Sequence, residues 1–547
     1  MSEPSADKLS EKESTLKAPE APDPTVHVED IKTSIAEGDF DNSIDDTKPS
    51  RAVWMIVFTV AMGGFLFGKG SPEVLRDTSC GGYDTGVISA VLVNLGEDLG
   101  HKLDSKEQEL ITSITSGGAL IGALVAGLPA DKFGRKFGIY AGCVLFLIGS
   151  AIQAASYTVA QMTVGRFIVG LGVGSAAMII PLYIGELAPS KYRGRMIAFD
   201  NLSVTFGQLI SYVFGAALTN VNNGWRYMVA IGGVPPIILF ICLMWCPESP
   251  RQLLMHKKVE EARRAIARVY PAANEQQVQA KINLITFAVE SEHAGDGKSL
   301  WWQFKQLHCI PGNLRALISA CTVMAVSQLG GFNTLMYYSA TLFALVGFTN
   351  PTAVSITVGA TNCIFTLVNM LIIDRVGRRR TLLCTVIGMS VAMAITAIAF
   401  HWIPVSPDIT VETSTVNWAG ILVLVAIILY VAFFAAGVAT IGWVGTELLP
   451  LEVRALGTMM NTVTSWGTNI IIASTFLSMM QAMTPSGAFG FYAGICFFGW
   501  IFIIFCYPEV KGIPLENIRE VFADGFGVQK ARRLQAEAKL ERQGTHV

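Results

Sequence analysis

Arg166 is the only Asp, Glu, Lys or Arg between Phe137 and Gly185. A cation inside so apolar a stretch costs at least ~2.5 kcal/mol to place at mid-bilayer, so it turns to the protein interior and takes a partner. The natural partner is Asp84, in Gly82-Tyr83-Asp84-Thr85-Gly86. A carboxylate held by an arginine stays ionised, and one desolvated without it takes up a proton. An Asp–Arg pair within a membrane can therefore load and release a proton. The simpler reading, an arginine snorkelling from a helix end, is set against the roughly six residues of its own span that precede Arg166.

A second group of polar residues is uncharged. Gln208, Gln328, Asn333, Asn362 and Asn469 all lie in apolar runs. Amides donate and accept hydrogen bonds, which suits a hydroxyl that does the same. Each, taken singly, fits equally well as glue between helices instead. Trp443 and Trp466 add flat apolar faces that fit the C–H side of a cyclic polyol, or that simply pack.

These residues need a membrane to matter, and the composition supplies it. The chain has 547 residues, 52% hydrophobic and 15% charged. Soluble domains carry about 25% charged residues. Residues 316–373 and 455–508 contain no Asp, Glu, Lys or Arg. One bilayer crossing needs about 20 apolar residues, so each block holds two.

Apolar runs fall at 52–68 (continuing at 83–95), 110–130, 138–157, 160–183, 198–219 and 227–246, then at 316–340, 352–373, 381–401, 417–446, 457–481 and 488–507. These are numbered spans 1 to 12. The two charge-free blocks divide at Gly347-Phe348-Thr349-Asn350-Pro351 and Thr484-Pro485-Ser486-Gly487, where turn chemistry appears. Lys132, Arg135 and Lys136 follow span 2, Lys191, Arg193 and Arg195 follow span 4, and Arg375, Arg378, Arg379 and Arg380 follow span 8. The loops after spans 3, 7 and 11 have neither Lys nor Arg, so the positive-inside rule puts the basic loops and both termini in the cytoplasm.

The twelve spans form a repeat. Asp131-x-x-Gly134-Arg135-Lys136 returns 243 residues later as Asp374-x-x-Gly377-Arg378-Arg379. Glu186 with Arg193 returns 261 residues later as Glu447 with Arg454, and Pro247-Glu248 as Pro508-Glu509. Two six-span halves with a site near the midplane between them are the sequence mark of secondary transporters. The expected organisation is an acidic disordered tail over 1–50, a first half over 51–247, a cytoplasmic helical linker over 248–312, a second half over 313–508 and a cytoplasmic tail over 509–547. In the linker, Val259, Ala262, Ile266 and Val269 recur at helical spacing among Glu260, Arg263, Arg264 and Arg268.

Several classes drop out. The first 50 residues hold 13 Asp or Glu against 5 Lys and no basic start followed by an apolar core, so no cleavable signal peptide is expected. A net charge of −2 leaves no basic footprint for nucleic acid. The ten cysteines lie mostly in apolar runs and define no disulfide framework. Gly63-x-x-x-x-Gly68-Lys69 opens like a phosphate-binding loop, but Gly70 stands where Ser or Thr is required and no strand precedes it. No cofactor, metal site or catalytic constellation is expected, which makes an enzyme the least expected class.

The motifs together carry a family resemblance. Gly127-x-x-x-Asp131-x-x-Gly134-Arg135-Lys136, Gly165-Arg166, Glu186 with Arg193-Gly194-Arg195, Pro247-Glu248-Ser249-Pro250-Arg251, Asn333-x-x-x-Tyr337-Tyr338, Glu447-x-x-Pro450-x-x-x-Arg454 and Pro508-Glu509-x-Lys511-Gly512 resemble the sugar porter signatures of the major facilitator superfamily. The likeness runs over about residues 52–525. Within that family, Val221-Asn222-Asn223-Gly224-Trp225-Arg226, Asn333-Thr334-Leu335-Met336-Tyr337 and Ala473-Ser474-Thr475-Phe476-Leu477 resemble fungal myo-inositol/proton symporters.

The resemblance implies an all-α membrane protein with the major facilitator superfamily fold: twelve transmembrane helices in two pseudo-symmetric six-helix halves and a short cytoplasmic helical linker. It implies proton-coupled uptake of myo-inositol at the plasma membrane by a monomer whose partners are a small polyol or sugar, protons and the bilayer. Asp84 and Arg166 would be the proton-coupling pair. Gln208, Gln328, Asn333 and Trp443 would form the substrate site, which Asn362 and Asn469 join as amides within apolar spans. Asp131, Arg135, Glu186, Arg193, Arg195, Asp374, Arg378, Glu447 and Arg454 would hold the cytoplasmic side closed when the molecule faces outward. A hexose or other polyol porter, by symport or uniport, is the alternative, and a non-transporting nutrient sensor on the same fold a more distant one.

Three departures from the family pattern stand out. Ser327 replaces the first of two adjacent glutamines, and Thr440 and Gly442 replace prolines before Trp443, so bending of span 10 is expected to rely on glycine. Residues 69–82 are inserted between Phe67-Gly68 and Tyr83-Asp84, which would put Lys69, Glu73, Arg76 and Asp77 within span 1. Removing them restores one helix, so the insert is expected to be a gene-prediction error such as retained intron sequence. A peptide crossing residue 75 would overturn that expectation.

Overall fold

The computed structural model describes residues 82–187, 190–295, 300–404, 416–444, 448–450, 453–510, 518–523 and 525–544. The acidic tail, the run at 52–68 and residues 69–81 of the insert lie outside the described residues. The described part of span 1 is the helix Gly82–Asn94.

The remaining spans follow the apolar runs. Spans 2 to 5 are the helices Ser105–Phe133, Arg135–Ala154, Val159–Leu187 and Ser190–Leu218. Span 6 comes as Gly224–Ile231 and Val234–Leu243. Spans 8 and 9 are Pro351–Val376 and Arg378–Phe400. Span 11 is Arg454–Ala473, and span 12 completes Phe476–Cys506. Among the described residues, 9 helices are long and apolar enough to cross a membrane. Spans 1, 5 and 11 fall outside that number: span 1 is only partly described, span 5 has a shorter apolar stretch over Leu202–Leu218, and span 11 is rich in Ser, Thr and Asn.

Two helices break where the hydropathy pattern runs on unbroken. Span 7 consists of Pro311–Leu329 and Phe332–Leu345, interrupted at Gly330-Gly331. Gly331 has φ 93°, a left-handed conformation that glycine adopts without steric cost, and a Cβ there would lie 3.0 Å from the Tyr492 ring. Span 10 runs as Trp418–Phe433, a π turn at Phe434–Val438, and Ala439–Val444. The irregularity thus begins before Thr440 and Gly442, and a π turn supplies it; such turns are single-turn insertions that concentrate at functional places. The turn expected at Thr484-Pro485 is present as a kink at Thr484, φ 64°.

Spans 2 and 4 approach closely enough that a Cβ on Gly170 would sit 2.2 Å from the Thr115 carbonyl oxygen. Small residues permit such approach where lipid provides no hydrophobic drive between helices. The two halves meet through spans 1 and 7, 2 and 11, and 5 and 8. In the linker Ala262, Ile266 and Val269 are buried as their spacing predicts, whereas Val259, at the helix start, is 42% exposed. The end of the molecule opposite the basic loops is called the outer end below.

Candidate functional site

Arg166 is 1% exposed and donates from Nη1 to Asp84 Oδ1 at 2.7 Å. Its Nε donates to the Ile111 carbonyl at 3.3 Å. One guanidinium thereby ties spans 1, 4 and 2, and the close packing of spans 2 and 4 brings that carbonyl within reach. Removing either member of a buried pair leaves an uncompensated charge, at a cost of about 3–5 kcal/mol.

The pair does not face only its own half. A small pocket is lined by Asp84, Thr112, Ser116 and Arg166 from the first half and by Tyr337 and Trp466 from the second. Its free volume, about 10 Å³, is room for a single water rather than a sugar ring. Asn469, from span 11, closes the arrangement: its Nδ2 donates to Ser116 Oγ at 3.1 Å and to Tyr337 Oη at 3.2 Å.

The other amides sit in couples. Asn362 Nδ2 donates to Gln208 Oε1 at 2.6 Å, joining spans 8 and 5 across the halves. Both side chains are 0% exposed, and among the described residues Gln208 Nε2 and Asn362 Oδ1 find no protein partner. Asn333 Nδ2 donates to Gln328 Oε1 at 2.5 Å, and Gln328 Nε2 to Ser465 Oγ at 3.3 Å. Gln328 and Asn333 flank the break in span 7, whose Gly330 carbonyl accepts from Tyr430 Oη at 2.8 Å. Amides that hold one another in this way can exchange a partner for a hydroxyl while staying satisfied. Trp443 lies in helix Ala439–Val444, and its side chain is outside the described residues.

On the basic side, Arg135 holds Glu186 with two contacts, Nη2 to Oε1 at 3.2 Å and Nε to Oε2 at 3.4 Å. This pair lies within the first half, between spans 3 and 4. Arg454 donates to the Leu449 carbonyl from Nε at 3.3 Å and from Nη2 at 3.2 Å. The side chains of Asp131, Arg193, Arg195, Asp374 and Glu447 lie outside the described residues, so any ion pairs they make are not seen.

The acids of the two Pro-Glu motifs have a clear place in the structure. Glu248 accepts from the Arg135 and Lys136 amides at 3.1 and 3.3 Å, and Glu509 from the Arg378 and Arg379 amides at 3.3 and 2.9 Å. Each is an anion at the N-terminus of a membrane helix, where unpaired N–H groups and the helix dipole favour it. The residues missed outright were Tyr337 and Ser116, whose hydroxyls meet Asn469. Tyr337 lies in the quoted Asn333-x-x-x-Tyr337-Tyr338, one helical turn from Asn333, which was the available signal.

The all-helical architecture, the charged pair and the amides between halves define a transporter of the major facilitator superfamily. The chain belongs to the sugar (and other) transporter family, whose model matches residues 74–522. It is similar to Myo-inositol transporter 1 of Cryptococcus neoformans, 45% identical over 499 residues, spanning 91% of this chain and 86% of that protein. Myo-inositol transporter 1 of Saccharomyces cerevisiae is 40% identical over 492 residues, spanning 89% of this chain and 82% of that protein. Among solved structures, the partially occluded inward-open conformation of the xylose transporter XylE from E. coli aligns with TM-score 0.69 at 23% identity, covering 85% of this chain and 100% of that one. That likeness concerns the fold.

Proposed function

We propose that the protein is a secondary active transporter that takes up myo-inositol with protons by alternating access. The observation that carries this reading is the buried Asp84–Arg166 pair on the wall of a pocket completed by Tyr337 and Trp466 of the opposite half. Protonation of Asp84 weakens its hold on Arg166, and the change is felt where the halves meet. The names of the relatives supply the substrate, and the amides fit a ring bearing only hydroxyls.

In this cycle Gln208, Gln328, Asn333, Asn362, Asn469 and Trp443 bind the polyol. Asp131, Arg135, Glu186, Arg193, Arg195, Asp374, Arg378, Glu447 and Arg454 close the cytoplasmic side in the outward-facing state. Proton and polyol act by binding the two states with different affinities; a ligand that bound both equally would shift nothing. The protein works as a monomer in the plasma membrane with both termini in the cytoplasm.

Uptake of radiolabelled inositol and glucose in a transporter-deficient fungal strain, with and without a protonophore, tests the reading. Inositol accumulation that collapses with the protonophore is expected. Uptake of glucose without inositol would replace the substrate, and accumulation indifferent to the protonophore would remove the proton.

A further inference from the structure

Glu109 is a buried carboxylate with no part in the mechanism so far. It lies near the outer end of span 2 and is 4% exposed. Its Oε1 accepts from the Ser478 main-chain N–H at 2.7 Å and its Oε2 from the Ser478 hydroxyl at 2.7 Å. Ser478 belongs to the opposite half, in the first turn of helix Phe476–Cys506. One anion of the first half therefore caps the positive end of a helix in the second, through two charge-assisted bonds. One turn further out, Gln481 Nε2 donates to Ser105 Oγ at 3.0 Å across the same seam. Two residues further in, the Ile111 carbonyl receives Arg166.

We infer that Glu109 is a positioning residue of the transport cycle, the latch that holds the outer end closed. This inference rests on the alternating-access reading but on neither the substrate nor the proton. The two bonds to Ser478 exist only while spans 2 and 11–12 are together. Opening the outer end separates the carboxylate from that helix and returns it to water. The latch therefore sets the balance between the outward-open and outward-closed states without touching the polyol. Because Glu109 and Ile111 share the first turns of span 2, displacement of Arg166 from Asp84 acts on the same helix that carries the latch.

The test uses the full-length transporter in intact cells. Ser89 is 0% exposed and pairs with Ser339 of the other half at 3.0 Å, so Ser89→Cys reports outer opening to a membrane-impermeant thiol reagent. With the native cysteines as background, Glu109→Gln is expected to raise the labelling rate on the order of tenfold, the loss attached to a hydrogen bond with a charged partner. Ser478→Ala, which keeps the main-chain donor, should raise it less, and the double variant no more than Glu109→Gln alone. Should Glu109→Gln not reach the surface, Ser478→Ala still carries the test. Labelling unchanged in variants present at the surface overturns the latch. Because labelling needs neither inositol nor a proton gradient, failure of the uptake assay with altered labelling would sink the substrate reading and leave the latch standing.

Discussion

Gly134 and Gly377 occupy corresponding places in the two halves, with φ 104° and 95°, and a Cβ on either would fall 2.7 Å from the carboxylate of Glu248 or Glu509. Lys136 donates to the Cys246 carbonyl at 2.8 Å, and Arg379 to the Tyr507 carbonyl at 2.8 Å. The scaffold on the basic side is thus built twice from one plan. The interior is not. The first half buries an ion pair at Asp84–Arg166, while the second has two long blocks without any charge and presents amides instead. What was duplicated is the frame; the buried ion pair lies on one side of the seam and most of the amides proposed to bind the polyol on the other.

The sharpest way to break this division is Arg166→Leu. It should strand a buried carboxylate and cost about 3–5 kcal/mol, read as lost surface protein and a lowered unfolding temperature in detergent. Adding Asp84→Asn should recover much of that loss, since a neutral amide needs no counter-charge. If the single variant is as stable as the parent, the pair is not the buried charge centre of the first half.

Asp84→Asn alone leaves the buried Arg166 without its counter-charge and so carries part of the same stability cost, but its effect on transport should be more selective. It mimics the protonated acid permanently, so gradient-driven accumulation is expected to vanish while exchange of labelled inositol across the membrane partly persists. Full accumulation by this variant would take the proton away from Asp84 and erase the contrast between the halves.

Changes to the amides should look different in kind. Gln328→Ala and Asn469→Ala each remove a neutral hydrogen-bonding group, a loss of about 0.5–1.5 kcal/mol, or roughly a 2- to 13-fold rise in KM. Protonophore sensitivity should stay as in the parent. An amide variant that uncoupled transport from the gradient would show that the second half handles protons too.

The sequence made the spans legible because charge is so costly in lipid that twelve apolar stretches had to appear, and Arg166 announced itself by standing alone. Asp84 followed as the acid in span 1 able to meet it. The break in span 7 stayed hidden because Gly330-Gly331 interrupts a helix without interrupting hydropathy. Glu109 was hidden differently. It follows Lys106 and Glu107 at a helix start, where acids are usually solvated, and Glu107 does form an exposed capping box with Asp104. Two residues along a helix is about 200° of rotation, so Glu109 points the opposite way, into the seam. The amides were legible as a set, yet which would pair with which depended on the crossing of spans 5 and 8, which periodicity does not encode.

The smallest expected effect bears on the half of the comparison that asserts sameness. Glu248→Gln and Glu509→Gln each replace an anion at a helix N-terminus by a neutral acceptor, a change typically worth about 0.3–1 kcal/mol. Because the two carboxylates accept from equivalent amides with similar lengths, the two variants should lower the unfolding temperature by the same small amount and leave KM for inositol alone. A loss confined to one of them would mean that the two caps carry different loads as the halves move. The frame would then be symmetric in shape but not in energy, and the division of chemistry between the halves would extend into the scaffold itself.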